Sequence, residues 1–142
     1  RGLVRRAGEE MVWGYRTSSF LPDEIIVECE LSVEPADPFF IRGKMEASHA
    51  RRKKTQPQAS PSCGSVFRNP EGRSAGALIE EAGLKGRRIG GAQVSEVHAN
   101  FIVNTGGATA RDVRDLIELA QREVYEAYGI ELQPEVRFLG FA

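Results

Sequence analysis

The stretch from Thr109 to Tyr128 does most to constrain the fold. Val113, Leu116, Ile117, Ala120, Val124 and Tyr128 recur at helical spacing, so one face of this segment is apolar and needs a cover. Thr109 with Asp112 resembles a capping box, although Asp reaches less far than Glu or Gln. Gly129 stands where a left-handed C-cap is wanted. A helix of this kind must lie on a sheet or on another helix. Candidate strands are at hand in Arg87–Gly91, Phe101–Asn104 and Ile130–Leu139. Ser74 caps a shorter helix carrying Ala77, Leu78, Ile79 and Ala82, which Gly83 stops. The order of these elements predicts an α+β domain, a small antiparallel sheet with helices packed on it. No internal repeat is present.

The first third of the chain reads differently. Glu24–Val33 alternates, with Val27, Cys29, Leu31 and Val33 on one side and Glu28, Glu30 and Ser32 on the other. That pattern predicts a strand with one face on a core, and it makes Cys29 a packed core residue. Pro35 and Pro38 break the strand. A helix is expected from about Pro38 to Lys54, ending in the basic run Arg51-Arg52-Lys53-Lys54. From Thr55 to Gly64 the chain is rich in Gln, Pro and Ser, as in an ordered loop or an interdomain connection. The opening Gly2-Leu3-Val4-Arg5-Arg6 reads like the end of a strand. With no Met at its head and no secretory pattern, the chain is expected to be a fragment.

Composition then excludes several classes. At 142 residues the chain has enough length for one core. Lys+Arg 19 against Asp+Glu 20 gives a formal net charge of −1, so no strong field draws it to nucleic acid or to anionic membrane. Its apolar runs are too short to span a bilayer. Two cysteines, Cys29 and Cys63, make neither a disulfide framework nor a four-cysteine zinc site, which suits a reduced, cytoplasmic setting. His49 and His98 lie far apart without companions at ligand spacing, so no metal site is expected. Gly90-Gly91 and Gly106-Gly107 read as turns. The Arg51–Lys54 run reads as a solvated helix end that complements the dipole, with a phosphate contact as the alternative.

Three segments are candidates for chemistry. In Gly14-Tyr15-Arg16-Thr17-Ser18-Ser19-Phe20 an arginine follows an aromatic residue, and its guanidinium suits a carboxylate through two parallel hydrogen bonds. A structural ion pair fits equally well. In Cys63-Gly64-Ser65-Val66-Phe67-Arg68-Asn69-Pro70 the glycine lets a ligand approach the backbone beside the Ser65 hydroxyl, and the bland reading is a turn into a strand. In Pro134-Glu135-Val136-Arg137-Phe138 a Glu and an Arg share one strand face, as in an ordinary surface pair.

Taken in order, these segments resemble the UDP-N-acetylenolpyruvoylglucosamine reductase family. The resemblance rests on Tyr15-Arg16-Thr17-Ser18, Gly64-Ser65-Val66-Phe67-Arg68-Asn69-Pro70 and Ala75–Gly86. It continues through Arg88–Val94, His98-Ala99, Asn104-Thr105-Gly106 and Leu132–Arg137, across nearly all of residues 9–140. No single motif is decisive, and six in register make coincidence improbable. The family uses NADPH and FAD to reduce the enolpyruvyl ether of UDP-N-acetylglucosamine to UDP-N-acetylmuramate in peptidoglycan precursor synthesis.

What the resemblance implies is specific. Hydride delivered to the terminal carbon of the double bond leaves negative charge on the adjacent carbon, delocalised into the carboxylate. Such a site needs donors at the carboxylate and a proton donor at that carbon. By resemblance Ser65 is the proton donor, and Arg16 and Glu135 stabilise the intermediate. A glutamate beside a carboxylate helps only as a donor, that is, protonated. Tyr15, Asn69, Lys85 and His98 are implied on the substrate side, Asn69 and Lys85 at the diphosphate. Gly64 and Arg137 are implied on the cofactor side. Residues 1–34 correspond to the tail of the FAD-binding domain, with its last strand or strands, and 35–142 to the C-terminal substrate-binding domain.

Two departures bear on this. Too few positions separate Arg16 from Ser65 for the extra tyrosine-bearing loop of one branch, so the chain resembles the shorter, loopless type and no tyrosine diphosphate ligand is carried over. The family's N-terminal flavin-binding region, with its glycine-rich loop, has no counterpart in this sequence. The chain alone is expected not to hold flavin tightly and not to turn over. A monomer binding UDP-N-acetylglucosamine enolpyruvate, without nucleic acid or membrane, is the expectation. The main alternative is a non-catalytic UDP-sugar-binding module. Weaker ones are a nucleic-acid contact through Arg51–Lys54 and a nucleophile at Cys63, for which no partner base is identifiable.

Overall fold

The computed structural model describes residues 2–140. It divides into two units, one up to Asp37 and the other from Pro38. In the first unit a single 3-10 turn, Gly8–Glu10, precedes a hairpin of β1 (Trp13–Gly14) and β2 (Thr17–Ser18). Trp13 meets Phe20 edge-on at 6.0 Å, and Ser19 closes the hairpin base by donating its N–H to the Val12 carbonyl at 3.0 Å. Arg6 pairs with Glu24. Neither Gly2–Arg6 nor Glu24–Val33 forms a strand. Both segments run without ladder partners, and Val27, Leu31 and Val33 are 71%, 76% and 81% exposed. Cys29 is exposed as well, not packed in a core. The alternation of Glu24–Val33 is present in the sequence, but among the described residues no neighbouring strand supplies the hydrogen bonds that a strand requires.

The second unit opens with α1 (Pro38–Thr55), the helix expected there. It buries none of its residues, and Phe39 and Met45 stay exposed. Arg52, Lys53 and Lys54 lie in its last turn, where positive charge meets the dipole's negative end. After a short loop come β3 (Ser62–Ser65), α2 (Ala75–Glu81), β4 (Arg88–Ile89), β5 (Ala92–Val94), β6 (Phe101–Asn104) and α3 (Ala110–Tyr128). The strands form one antiparallel sheet in the order β3-β6-β5-β4. The expected single strand Arg87–Gly91 is thus the first arm of a hairpin turned at Gly90-Gly91. The expected strand Ile130–Leu139 is reduced to one bridge, Pro134 opposite Phe67, held by the flanking bonds from the Arg68 N–H to Gln133 and from the Glu135 N–H to Val66.

The capping box of α3 is complete. The Thr109 hydroxyl accepts from the Asp112 N–H at 3.1 Å, and the Asp112 carboxylate accepts from the Thr109 N–H at 2.9 Å. Leu116, Ile117, Ala120 and Val124 face inward, and Tyr128 lies at the edge with the Arg73 guanidinium 5.6 Å from its ring centre. Ser74 caps α2 as expected. The apolar faces of α2, α3 and the sheet enclose Val66, Phe67, Leu78, Ile79, Val94 and Leu132 with the α3 residues. Full burial of a Leu, Ile or Val side chain contributes roughly 1.5–3 kcal/mol, which makes this cluster the main source of stability in the second unit.

At Gly91 the α3 start and the β4–β5 hairpin meet closely. A Cβ there would lie 2.4 Å from both the Ala108 nitrogen and the Gly106 oxygen, so no larger residue fits. Asp112 reaches back to accept from the Gly91 N–H at 3.3 Å. Its carboxylate is held below its usual range by the Thr109 backbone N–H first, against some opposing desolvation, with the Thr109 side chain and Gly91 adding to the effect.

Candidate active site

The strand carrying Ser65 is bent by a bulge. Ser62 pairs with Val103 and Ser65 with Phe101, so β3 spends one more residue than β6 over the same interval. Gly64 takes up the irregularity at φ +85°, and nothing lies within 4 Å of where its Cβ would be. Glycine is therefore required by conformation and leaves open space beside the half-buried Ser65. Bulges of this sort re-aim a side chain out of the regular alternation.

Beyond Ser65 the chain is held on both edges. On one side the Val66 N–H donates to the Asn100 carbonyl at 2.9 Å. The Asn100 side chain then takes over: its Oδ1 accepts from the Phe67 N–H at 2.9 Å and its Nδ2 donates to the Phe67 carbonyl at 2.8 Å. On the other side the Arg68 N–H donates to Gln133 at 2.9 Å and the Glu135 N–H donates to Val66 at 2.7 Å. Glu135 is thereby pinned by its backbone to the residue that follows Ser65.

The remaining candidates are placed as follows. Asn69 spends its Oδ1 on the Ala75 N–H at the start of α2, 3.0 Å away, so the group it offers a ligand is the Nδ2 amide. The ring of His98 stands edge-on to Phe101 at 5.0 Å, and its Nδ1 accepts from the Asn100 N–H at 3.2 Å. A neutral ring so engaged carries its proton on Nε2. Its Cε1 is 2.9 Å from where a Cβ on Gly76 would sit, so α2 approaches the ring closely. Lys85 is ion-paired with Glu80 at 2.7 Å. Arg137 is exposed, two residues past Glu135.

Tyr15 and Arg16 lie in the first unit, at the tip of the β1–β2 hairpin. Arg16 is the non-glycine residue with positive φ, +56°, among the described residues. Its guanidinium lies 5.5 Å from the centre of the Tyr15 ring. A left-handed conformation without glycine costs on the order of 1 kcal/mol and is found disproportionately at functional positions.

The second unit thus ties Glu135 by a backbone hydrogen bond to Val66, the residue after Gly64-Ser65, with His98 two residues from the Asn100 clamp. Nothing in motif spacing marks Asn100. A polar residue immediately ahead of the apolar run Phe101-Ile102-Val103 is the one sequence sign of it. Among the described residues no group of three His, Cys, Asp or Glu stands ready for a metal, and no helix is long and apolar enough to cross a membrane.

The comparisons with known proteins agree with one another. The family profile "UDP-N-acetylenolpyruvoylglucosamine reductase, C-terminal domain" matches residues 56–139. A UDP-N-acetylenolpyruvoylglucosamine reductase from Synechococcus sp. (strain WH7803) is 54% identical over 98% of this chain and 46% of its own length. One from Bacillus licheniformis is 48% identical over 93% of this chain and 73% of its own. The crystal structure of the reductase from Thermus caldophilus superposes with a TM-score of 0.75 at 42% identity, covering 90% of this chain and 46% of that one. The chain spans about half the length of the first of these relatives. With a profile match over more than half its residues and relatives at about 50% identity, this chain belongs to the UDP-N-acetylenolpyruvoylglucosamine reductase family.

Proposed function

We propose that this chain supplies the substrate-binding and proton-donating part of an NADPH-dependent, FAD-containing reductase. The enzyme would convert the enolpyruvyl ether of UDP-N-acetylglucosamine to UDP-N-acetylmuramate in the cytoplasm. The observation that carries this reading is the bulged strand at Gly64-Ser65, with Glu135 tied by its N–H to the very next residue. A proton donor and a carboxyl donor on backbones this close in the fold are what the proposed enolate-like intermediate calls for.

The residues fit flavin and nicotinamide in part. Open space at Gly64 and the exposed cation of Arg137 suit the reacting side of such a cofactor. No glycine-rich strand-to-helix phosphate loop occurs among the described residues, so its diphosphate is held by other parts of the complete enzyme. When bound, flavin reduced by NADPH supplies the hydride.

The chain's own residues do the rest. The Ser65 hydroxyl gives its proton to the carbon next to the one that receives hydride, and recovers it from solvent. Arg16 and Glu135 stabilise the carboxylate into which the charge spreads. The strained backbone of Arg16 supports a functional assignment for that side chain. The Asn69 amide and Lys85 take the diphosphate, with Lys85 exchanging Glu80 for it, and Tyr15 and His98 line the substrate. Residues 1–34 belong with the flavin-binding domain and 35–142 form the substrate domain, in a monomeric enzyme.

The test is NADPH oxidation by the full-length enzyme with and without UDP-N-acetylglucosamine enolpyruvate, alongside a visible flavin spectrum. A yellow protein with substrate-dependent oxidation supports the reading. A colourless protein, or oxidation indifferent to substrate, sinks it in favour of a UDP-sugar-binding module without catalysis.

A further inference from the structure

Asn100 is 4% exposed, and both its amide oxygen and its amide nitrogen bond to one residue, Phe67. Burying a primary amide is unfavourable unless every polar group finds a partner, so a residue needed only to fill this apolar space would be apolar. The pairing has a definite form. The β3–β6 ladder ends at the pairs Ser65–Phe101 and Val66–Asn100, because the chain ahead of Asn100 turns away through the Ser95-capped loop. The Asn100 side chain, presenting one acceptor and one donor, imitates the backbone of the next strand residue and extends the ladder to Phe67. On the opposite edge the same short segment is fixed by Gln133 and Glu135. The Asn100 backbone N–H also donates to His98 Nδ1.

Resting on the functional reading above, we propose that Asn100 is a positioning residue for proton transfer at Ser65. Its side chain locks both peptide groups of Phe67, so the segment that begins at Ser65 and carries Glu135 on its far edge keeps one register. Without the clamp the Phe67 peptide has a partner on neither its N–H nor its C=O from β6. The backbones that carry Ser65 and Glu135 are then no longer held in one register.

The experiment is a double-mutant cycle in the full-length holoenzyme, pairing Asn100→Leu, close in volume, with Ser65→Ala. Flavin content and thermal unfolding report folding, and reoxidation of reduced flavin by UDP-N-acetylglucosamine enolpyruvate reports the chemistry. Asn100→Leu alone is expected to slow reoxidation by about tenfold or more, as small misplacements do. Added to Ser65→Ala it is expected to slow reoxidation by no more than about twofold, since residues acting through one another are not additive. Amide hydrogen exchange of the 66–68 segment, read by mass spectrometry, is expected to rise by about tenfold in Asn100→Leu while the α3 core stays protected.

Equal losses with and without Ser65, reoxidation within about twofold of the parent, or unchanged exchange at 66–68 would each overturn the inference. If Asn100→Leu does not hold flavin, Asn100→Asp takes its place in the cycle. That variant keeps the acceptor for the Phe67 N–H and sets a carboxylate against the Phe67 carbonyl. Loss of fold in both variants makes Asn100 a structural residue and overturns the positioning role. A parent enzyme that shows no substrate-dependent oxidation fails the functional reading itself, whereas an active parent with additive losses fails only this inference.

Discussion

The backbone N–H of Glu135 donates to the carbonyl of Val66, 69 positions earlier, at 2.7 Å, at the point where Ser65 ends its strand. The backbones of Ser65 and Glu135 are thereby brought close together. Two backbone bonds, from Arg68 to Gln133 and from Glu135 to Val66, link the 133–135 segment to the residues that follow the strand carrying the hydroxyl.

The roles of these two residues separate in kinetics. Ser65→Ala in the full-length enzyme is expected to lower kcat by about 10²- to 10⁴-fold, the usual worth of a positioned proton donor. Glu135→Gln, which still donates through its amide, is expected to retain much more activity than Glu135→Ala. Steady-state rates of the three variants check both, and equal losses for the two Glu135 variants would count against the donor role.

Lys85 and Glu80 provide a second separation. Their ion pair is half-open to solvent, with side chains 28% and 56% exposed, so breaking it is expected to cost less than about 1 kcal/mol of stability. Lys85→Ala should nevertheless raise KM for the UDP-sugar, while Glu80→Gln, which releases the ammonium, should leave KM equal or lower. A Lys85→Ala enzyme with unchanged KM would reduce the lysine to a surface ion pair.

Gly91 is a packing site. An added methyl group would press on the backbone at Ala108 and Gly106, neither of which can move aside like a flexible side chain. Gly91→Ala is expected to destabilise by roughly 1–3 kcal/mol, visible as a lower Tm, the range for forced overpacking. An unchanged Tm would show that the α3 start adjusts freely.

Asp112 gives a pH signature. Its carboxyl is held below the ordinary value of 3.8 in the folded chain, chiefly by the Thr109 N–H. A group depressed on folding stabilises fully above its unfolded value, and that contribution is lost as pH falls through the folded value. Asp112→Asn should thus lower Tm at neutral pH, and the gap to the parent should narrow as the pH drops below about 4. A gap independent of pH would assign the effect to packing at Gly91.

The sequence by itself determined the elements whose causes are local. The α3 helix, its Thr109–Asp112 box, the Ser74 cap, the turn at Gly90-Gly91 and the order of family motifs are all readable because each depends on neighbours within a few positions. Tertiary structure decided what depends on partners. Glu24–Val33 has the alternation of a strand yet forms none, since a strand exists only where another supplies its hydrogen bonds. Residues 130–139 likewise find backbone partners only around Phe67, so they make one bridge there and no strand. The bulge at Gly64, the union of Val66 with Glu135 and the clamp of Asn100 on Phe67 all join residues remote in the chain, through backbone groups that every sequence shares. Side-chain spacing carries no record of such contacts, so only the folded chain reveals them.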